Sequence, residues 1–125
     1  MKLQPDRVDV ISVTAYDLDW IEINRVRFPH SMLISHDGTC QPWHCQRFDE
    51  FNAAHFQEFK STNTDILLLG SGKAQRFVPQ PWLVPLSQRQ IGVESMDTAA
   101  ACRTFNILAA EGRKVTAILL LPMTA

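Results

Sequence analysis

Little in this chain points to a specialised chemistry. Charge of one sign is lacking: twelve lysines and arginines stand against thirteen aspartates and glutamates, for a formal net charge of −1. No global field draws in a polyanion, so a nucleic-acid partner is not expected. Long apolar runs are also missing. The longest, Val115 to Met123, is interrupted by Thr116 and reaches about half the length of a membrane span. The first ten residues lack the apolar core of a secretory signal. The expectation is a cytoplasmic chain that is not an integral membrane protein. Cysteine is scarce, with Cys40, Cys45 and Cys102 forming an odd set at no disulfide-framework spacing, which suits a reducing compartment. Serine, histidine and carboxylate residues fall into no recognisable nucleophile motif, so no catalytic residue is expected. No cofactor is implied.

What is present is ordinary globular material. The 125 residues, 46% hydrophobic and 20% charged, suffice for one domain over 1–125 that buries roughly two-thirds of its unfolded surface. Residues 1–9 are expected to form a poorly ordered tail. From Ile11 to Ser35 apolar and polar residues alternate, with Asn24-Arg25 as a turn and Asp37-Gly38 closing the segment, so two to four short antiparallel strands are expected. Asp49 is placed as the N-cap of a helix from Glu50 to the Ser61-Thr62-Asn63 cluster. Ile66 to Leu69 is a continuous apolar run stopped by Gly70-Ser71-Gly72, the pattern of a strand buried on both faces.

Prolines at 79 and 81 forbid regular helix before them, but Pro81 can open one running to about Gln90. A short strand, Val93 to Ser95, follows the break at Gly92. Asp97 then caps the longest helical pattern, Thr98 to Glu111, which Gly112 ends, and Val115 to Leu121 reads as another buried strand. Strands alternating with helices across the second half indicate a three-layer α/β domain with an antiparallel segment at its N-terminus.

The stretch VESMDTAAACRTFNILAAEGRKVTAILL, with LLLGSG and the earlier MLISHDG, resembles the Mth-type domain of unknown function. The resemblance runs from about Ile11 to Leu121. Its motif is matched at Gly70, Gly72, Met96, Asp97, Thr98, Ala101, Cys102, Arg103, Thr104, Asn106, Leu108, Glu111, Gly112 and Arg113. It implies a mixed central sheet. Because the family includes an assembly factor for respiratory complex I, it also implies a role in assembly through protein partners. It carries over no catalytic residue.

Two surfaces are candidates for function. On the long helix Arg103 and Asn106 flank Ala99 and Ala110, making a polar strip among small residues. With the Gly70, Ser71 and Gly72 turn after a strand, this strip could hold an anionic metabolite, since a guanidinium fork suits bidentate anions and glycine lets amides approach one. The competing reading is a structural arginine paired with loop carbonyls or with Glu94, beside a plain strand-ending turn. The spacing of Gly70, Ser71, Gly72 and Lys73 fits neither the dinucleotide nor the nucleoside-triphosphate fingerprint. The second surface is the proline-rich segment holding Phe77, Trp82 and Leu83, with Trp82 as an aromatic anchor for a protein partner, or else as cover for the sheet.

His36, Cys40, His44 and Cys45 contain no paired-cysteine knuckle, and no metal site is expected; a loop plugged by Trp43 accounts for them. Cys102 is read as a buried structural thiol. The functional expectation is a non-enzymatic interaction or assembly factor, with an anionic-metabolite binding protein as the alternative.

Overall fold

Two strands have no face left for water, and the rest of the chain is arranged to cover them. The computed structural model describes residues 10–125; the tail expected over residues 1–9 lies outside the described residues. In chain order the elements are β1 (Val13–Asp17), β2 (Trp20–Ile23), β3 (Val26–Phe28), β4 (Met32–Ser35), β5 (Cys40–Pro42), α1 (Ala53–Gln57), β6 (Ile66–Gly70), α2 (Gln80–Ser87), β7 (Gly92–Met96), α3 (Thr98–Ala110) and β8 (Val115–Leu119). β4 to β8, apart from the helices, form a five-stranded sheet in the order β5-β4-β8-β6-β7. The pairs β8-β6 and β6-β7 are parallel, and β8-β4 and β4-β5 antiparallel. β1, β2 and β3 make a separate antiparallel sheet.

Period-2 alternation divides the central strands between two cores. Leu68, Ala117 and Leu119 face Ala101, Cys102, Phe105 and Ala109 of α3 and Val13, Ile21 and Ile23 of the small sheet. Leu67, Leu69, Ile118 and Leu120 face Phe56, Phe59, Leu86, Trp43 and Val78 on the other side. The expected three-layer α/β architecture with a mixed central sheet is thus observed. The small sheet lies in the same layer as α3.

Local chemistry accounts for the element ends. Asn24 and Arg25 both take positive φ, 49° and 70°, the geometry of a two-residue hairpin turn whose twist matches the strands it joins. The Asp97 carboxylate accepts from the Ala100 N–H at 2.8 Å. At the other end of α3 the Arg113 N–H donates to the Leu108 carbonyl and the Gly112 N–H to that of Ala109, both at 3.0 Å, a Schellman closure.

Several boundaries differ from those the sequence suggested. The first helix is broken: Phe48–Glu50 is a single 3-10 turn, α1 begins after Asn52, and Glu58–Ser61 tightens to 3-10 again. Asn52 displaces Asp49 as the cap because its side chain accepts from the N–H groups of both Ala54 and His55. α2 begins one residue before Pro81 and stops at Ser87, with Pro85 inside it; the proline ring carries no N–H, so the helix loses a bond there and stays short. The last strand ends at Leu119 rather than Leu121, and β5 was expected as a loop.

The backbone of the small sheet is fastened to α3 through the Asn106 side chain. Asn106 accepts from the Val13 N–H and donates to the Val13 carbonyl, both at 2.8 Å, so its amide acts as one more ladder position for β1. Asn106→Ala leaves both Val13 groups without a partner. It is expected to destabilise the domain by about 2 kcal/mol or more, read as a lower urea midpoint, with the loss falling first on amide-exchange protection in β1.

Candidate functional site

The expected anion-binding residues lie around the α3 N-terminus and along its outer side. Arg103 is exposed and donates to the Tyr16 hydroxyl at 3.0 Å. Among the described residues, neither a loop carbonyl nor Glu94 is its partner. Tyr16 is the single tyrosine of the chain, and no spacing rule linked it to Arg103 across 87 positions. Asn106 is committed to Val13 at both ends of its amide.

The turn after β6 is similarly engaged. The Ser71 N–H donates to Met96, that of Lys73 to Thr124, and that of Gly72 to the Thr98 hydroxyl at 2.8 Å, while the Gly72 carbonyl accepts from the Thr98 N–H. The backbone groups that would cradle a phosphate therefore bind α3 and the C-terminal turn. Glycine is needed at both ends of this turn. A Cβ at Gly70 would approach Ala101 to 3.1 Å and the Thr98 backbone to 3.2 Å, and Gly72, at φ 100°, would drive one into the Thr124 carbonyl.

Tyr16, Gly72, Lys73, Asp97 and Ala99 do line a common cleft of about 280 Å³, closed by Leu18 and Pro122. A larger opening of about 610 Å³ runs past Asn106, Ala109 and Gly112. Cys102 is buried under α3, and desolvation pushes its thiol up to about 12 against the lowering effect of Arg103. Burial and this upward shift both favour the neutral thiol over the thiolate.

The second expected surface divides by depth. Phe77 is 74% exposed and Val84 of α2 48%. Trp82 and Leu83 are half-buried against the second core, with the Trp82 ring 6.2 Å from that of Phe56. Val78, beside Phe77, is buried.

Of the four residues weighed for metal, the structure gathers only two, His44 and Cys45, and adds His55 from α1. His36 turns its Nε2 to the Asn63 carbonyl and Cys40 lies on exposed β5. In sequence His55 reads as a position on a helix face, and its convergence with residues ten and eleven positions earlier follows from the broken helix. Trp43 is buried at 4% exposure, packed on Phe51 and Phe59.

A family model described as a protein of unknown function (DUF498/DUF598) matches residues 13–120. The chain belongs to that family. This Mth-type domain superposes on a crystal structure from Bordetella parapertussis with a TM-score of 0.83 at 39% identity, covering 90% of this chain and 96% of that one. A solution structure from Bordetella pertussis, described as a Mth938-like domain, gives 0.81 at 32% identity over 100% of this chain and 95% of its own. In sequence the domain is 27% identical over 123 residues to the NADH dehydrogenase [ubiquinone] 1 alpha subcomplex assembly factor 3 of Xenopus tropicalis, covering 97% of this chain and 66% of the relative. Across the first curated relatives it matches, the chain spans 54% to 67% of their length. No helix among the described residues of the Mth-type domain is long and apolar enough to cross a membrane.

Burial, and then the neighbouring His44, push His55 below the ordinary value of 6.5. With the folded value depressed, the unfolded chain takes up the proton first, so the stability present above 6.5 is lost as the pH falls. The urea midpoint should therefore drop between about pH 7 and about pH 5, and should drop by less in His55→Gln. An equal drop in both proteins would show that His55 does not contribute.

Proposed function

We propose that this Mth-type domain is a non-enzymatic interaction module that promotes assembly of a larger protein complex, with Phe77, Trp82 and Leu83 as its partner surface. The observation that carries the reading is the exposure of Phe77 and Val84 over a rigid base. Trp82 and Leu83, in the same segment, are half-buried against the second core, so an apolar partner side chain would meet side chains that the core already holds. Aromatic groups held in this way are the ones that dominate interface energies. The relative named as an assembly factor supports the reading. We extend it to respiratory-complex subunits as the partners and to the cytoplasmic side of the membrane as the place of contact.

The test is affinity capture from the native organism, solubilised membranes included, comparing the wild type with Phe77→Asp. Ile107→Asp, at a 59% exposed position on α3, is the control. Both variants should keep the wild-type stability to within about 0.5 kcal/mol. Phe77→Asp should lose partner capture by about tenfold or more, and Ile107→Asp should keep it. Equal capture by all three would contradict the assignment of this surface. Trp82→Asp is a poor probe, because it places a carboxylate against Phe56 and the core.

A second reading keeps the cleft beside Tyr16, lined by Lys73 and Gly72 together with the Asp17 and Asp97 carboxylates, with Arg103 reaching its edge through Tyr16. An anionic metabolite bound there would raise the unfolding temperature of the wild type and not that of Arg103→Ala. An equal shift in both would remove Arg103 from the site.

A further inference from the structure

The donor atoms of His44, Cys45 and His55 all lie within 4.8 Å of one another. The two imidazole Nε2 atoms are 2.9 Å apart, and the Cys45 sulfur is 3.8 Å from Nε2 of His55. In a tetrahedral zinc site, bonds of about 2.0 Å to nitrogen and 2.3 Å to sulfur place neighbouring donors roughly 3.3–3.6 Å apart. The two measured edges fall on either side of that range. From this convergence we propose that His44, Cys45 and His55 form a binding site for a borderline-soft divalent transition metal, with zinc as its reference ion.

The chain builds the site from two segments. His44 and Cys45 follow β5, whose pairing with β4 continues to the bond from the Trp43 N–H to the Ser31 carbonyl. His55 sits in the first turn of α1, placed there by the Asn52 cap. Trp43 walls the cluster, its ring centroid 4.4 Å from His44 and 5.5 Å from His55. Cys45 and His55 are buried and His44 is exposed, so His44 is the donor with the most freedom to turn and close the set. Imidazole and thiolate together select zinc, copper or a similar ion over magnesium or calcium, which prefer oxygen.

The protons balance as follows. The Asn52 N–H donates to Nδ1 of His55, so Nε2 carries the ring proton and donates to Nε2 of His44. When a metal enters, the Cys45 thiol releases its proton to solvent and the His55 proton moves from Nε2 to Nδ1. The protonated Nδ1 can no longer accept from the Asn52 N–H, so the His55 ring turns away from it as the metal bond replaces that hydrogen bond. The Asn52 side chain still caps Ala54 and His55. Burial first, and then the Glu50 carboxylate, hold the free thiol above its ordinary value, while the Trp43 indole favours the thiolate. Metal binding must overcome the first two effects, and it releases protons in doing so.

The test is calorimetric titration of Zn²⁺ into the untagged, chelator-treated full chain, with Co²⁺ absorption as a second readout. The wild type should bind one equivalent, and Co²⁺ should show a thiolate charge-transfer band. His44→Ala removes an exposed side chain together with the acceptor of the His55 ring N–H, so it should stay folded without metal at a somewhat lower unfolding temperature. It should bind Zn²⁺ more weakly by well over tenfold, since losing even a group that merely orients a ligand costs roughly 10–100-fold. Cys40→Ser, at the exposed thiol outside the cluster, should change nothing. Failure of the wild type to bind, binding that survives His44→Ala, or binding that depends on Cys40 would each overturn the proposal.

Discussion

Everything in this fold answers to the parallel pair β6 and β8. Their residues from Leu67 to Leu69 and from Val115 to Leu119 are buried, so both sides of the sheet must be covered by other parts of the chain. On one side α1, the 3-10 turn that follows it and α2 supply Phe56, Phe59 and Leu86. On the other, α3 is too narrow to cover five strands, and the small antiparallel sheet completes the layer with Val13, Ile21 and Ile23. That sheet buries its apolar face in the core it shares with α3 and the central strands. Its attachment through Asn106 is therefore part of the condition that keeps β8 dry.

The same constraint explains why the most recognisable motif of the chain is also the least available for chemistry. Gly70 lets α3 approach the sheet, Gly72 and Thr98 lock the turn to the helix start, Asp97 caps it, and Gly112 closes its end. Asn106 holds β1. These residues satisfy backbone groups that the three-layer arrangement would otherwise leave unpaired, which is reason enough for a specific pattern. The opposite layer carries other exposed and convergent side chains. There the shortness of α1 and α2 leaves Phe77 and Val84 uncovered and brings His55 to His44 and Cys45.

The buried strands and the long helix were legible because their signals are local and redundant. Ile66 to Leu69 is a continuous apolar run, and Thr98 to Ala110 carries its own cap and stop. Residues 48 to 61 were harder: Phe51, Ala54, His55 and Phe59 recur at helical spacing, yet the backbone breaks where Asn52 is the better cap, and periodicity does not detect that competition. The partners of Arg103 and Asn106 were hidden for another reason. Tyr16 and Val13 lie 87 and 93 positions away, and only the packing of the small sheet against α3 brings them close. Trp43 as a buried plug was readable from its neighbours, but the turn of His55 toward Cys45 was not.

The central claim is that the domain meets its partner through the α2 face while α3 serves the core. Site-specific photocross-linking in cells tests it most directly, with a photoreactive phenylalanine analogue at position 77 and, separately, at position 107, which is also exposed. The account predicts a discrete cross-linked protein from position 77 and none from position 107. A discrete product from position 107 alone would contradict it and make the outer side of α3 the partner surface.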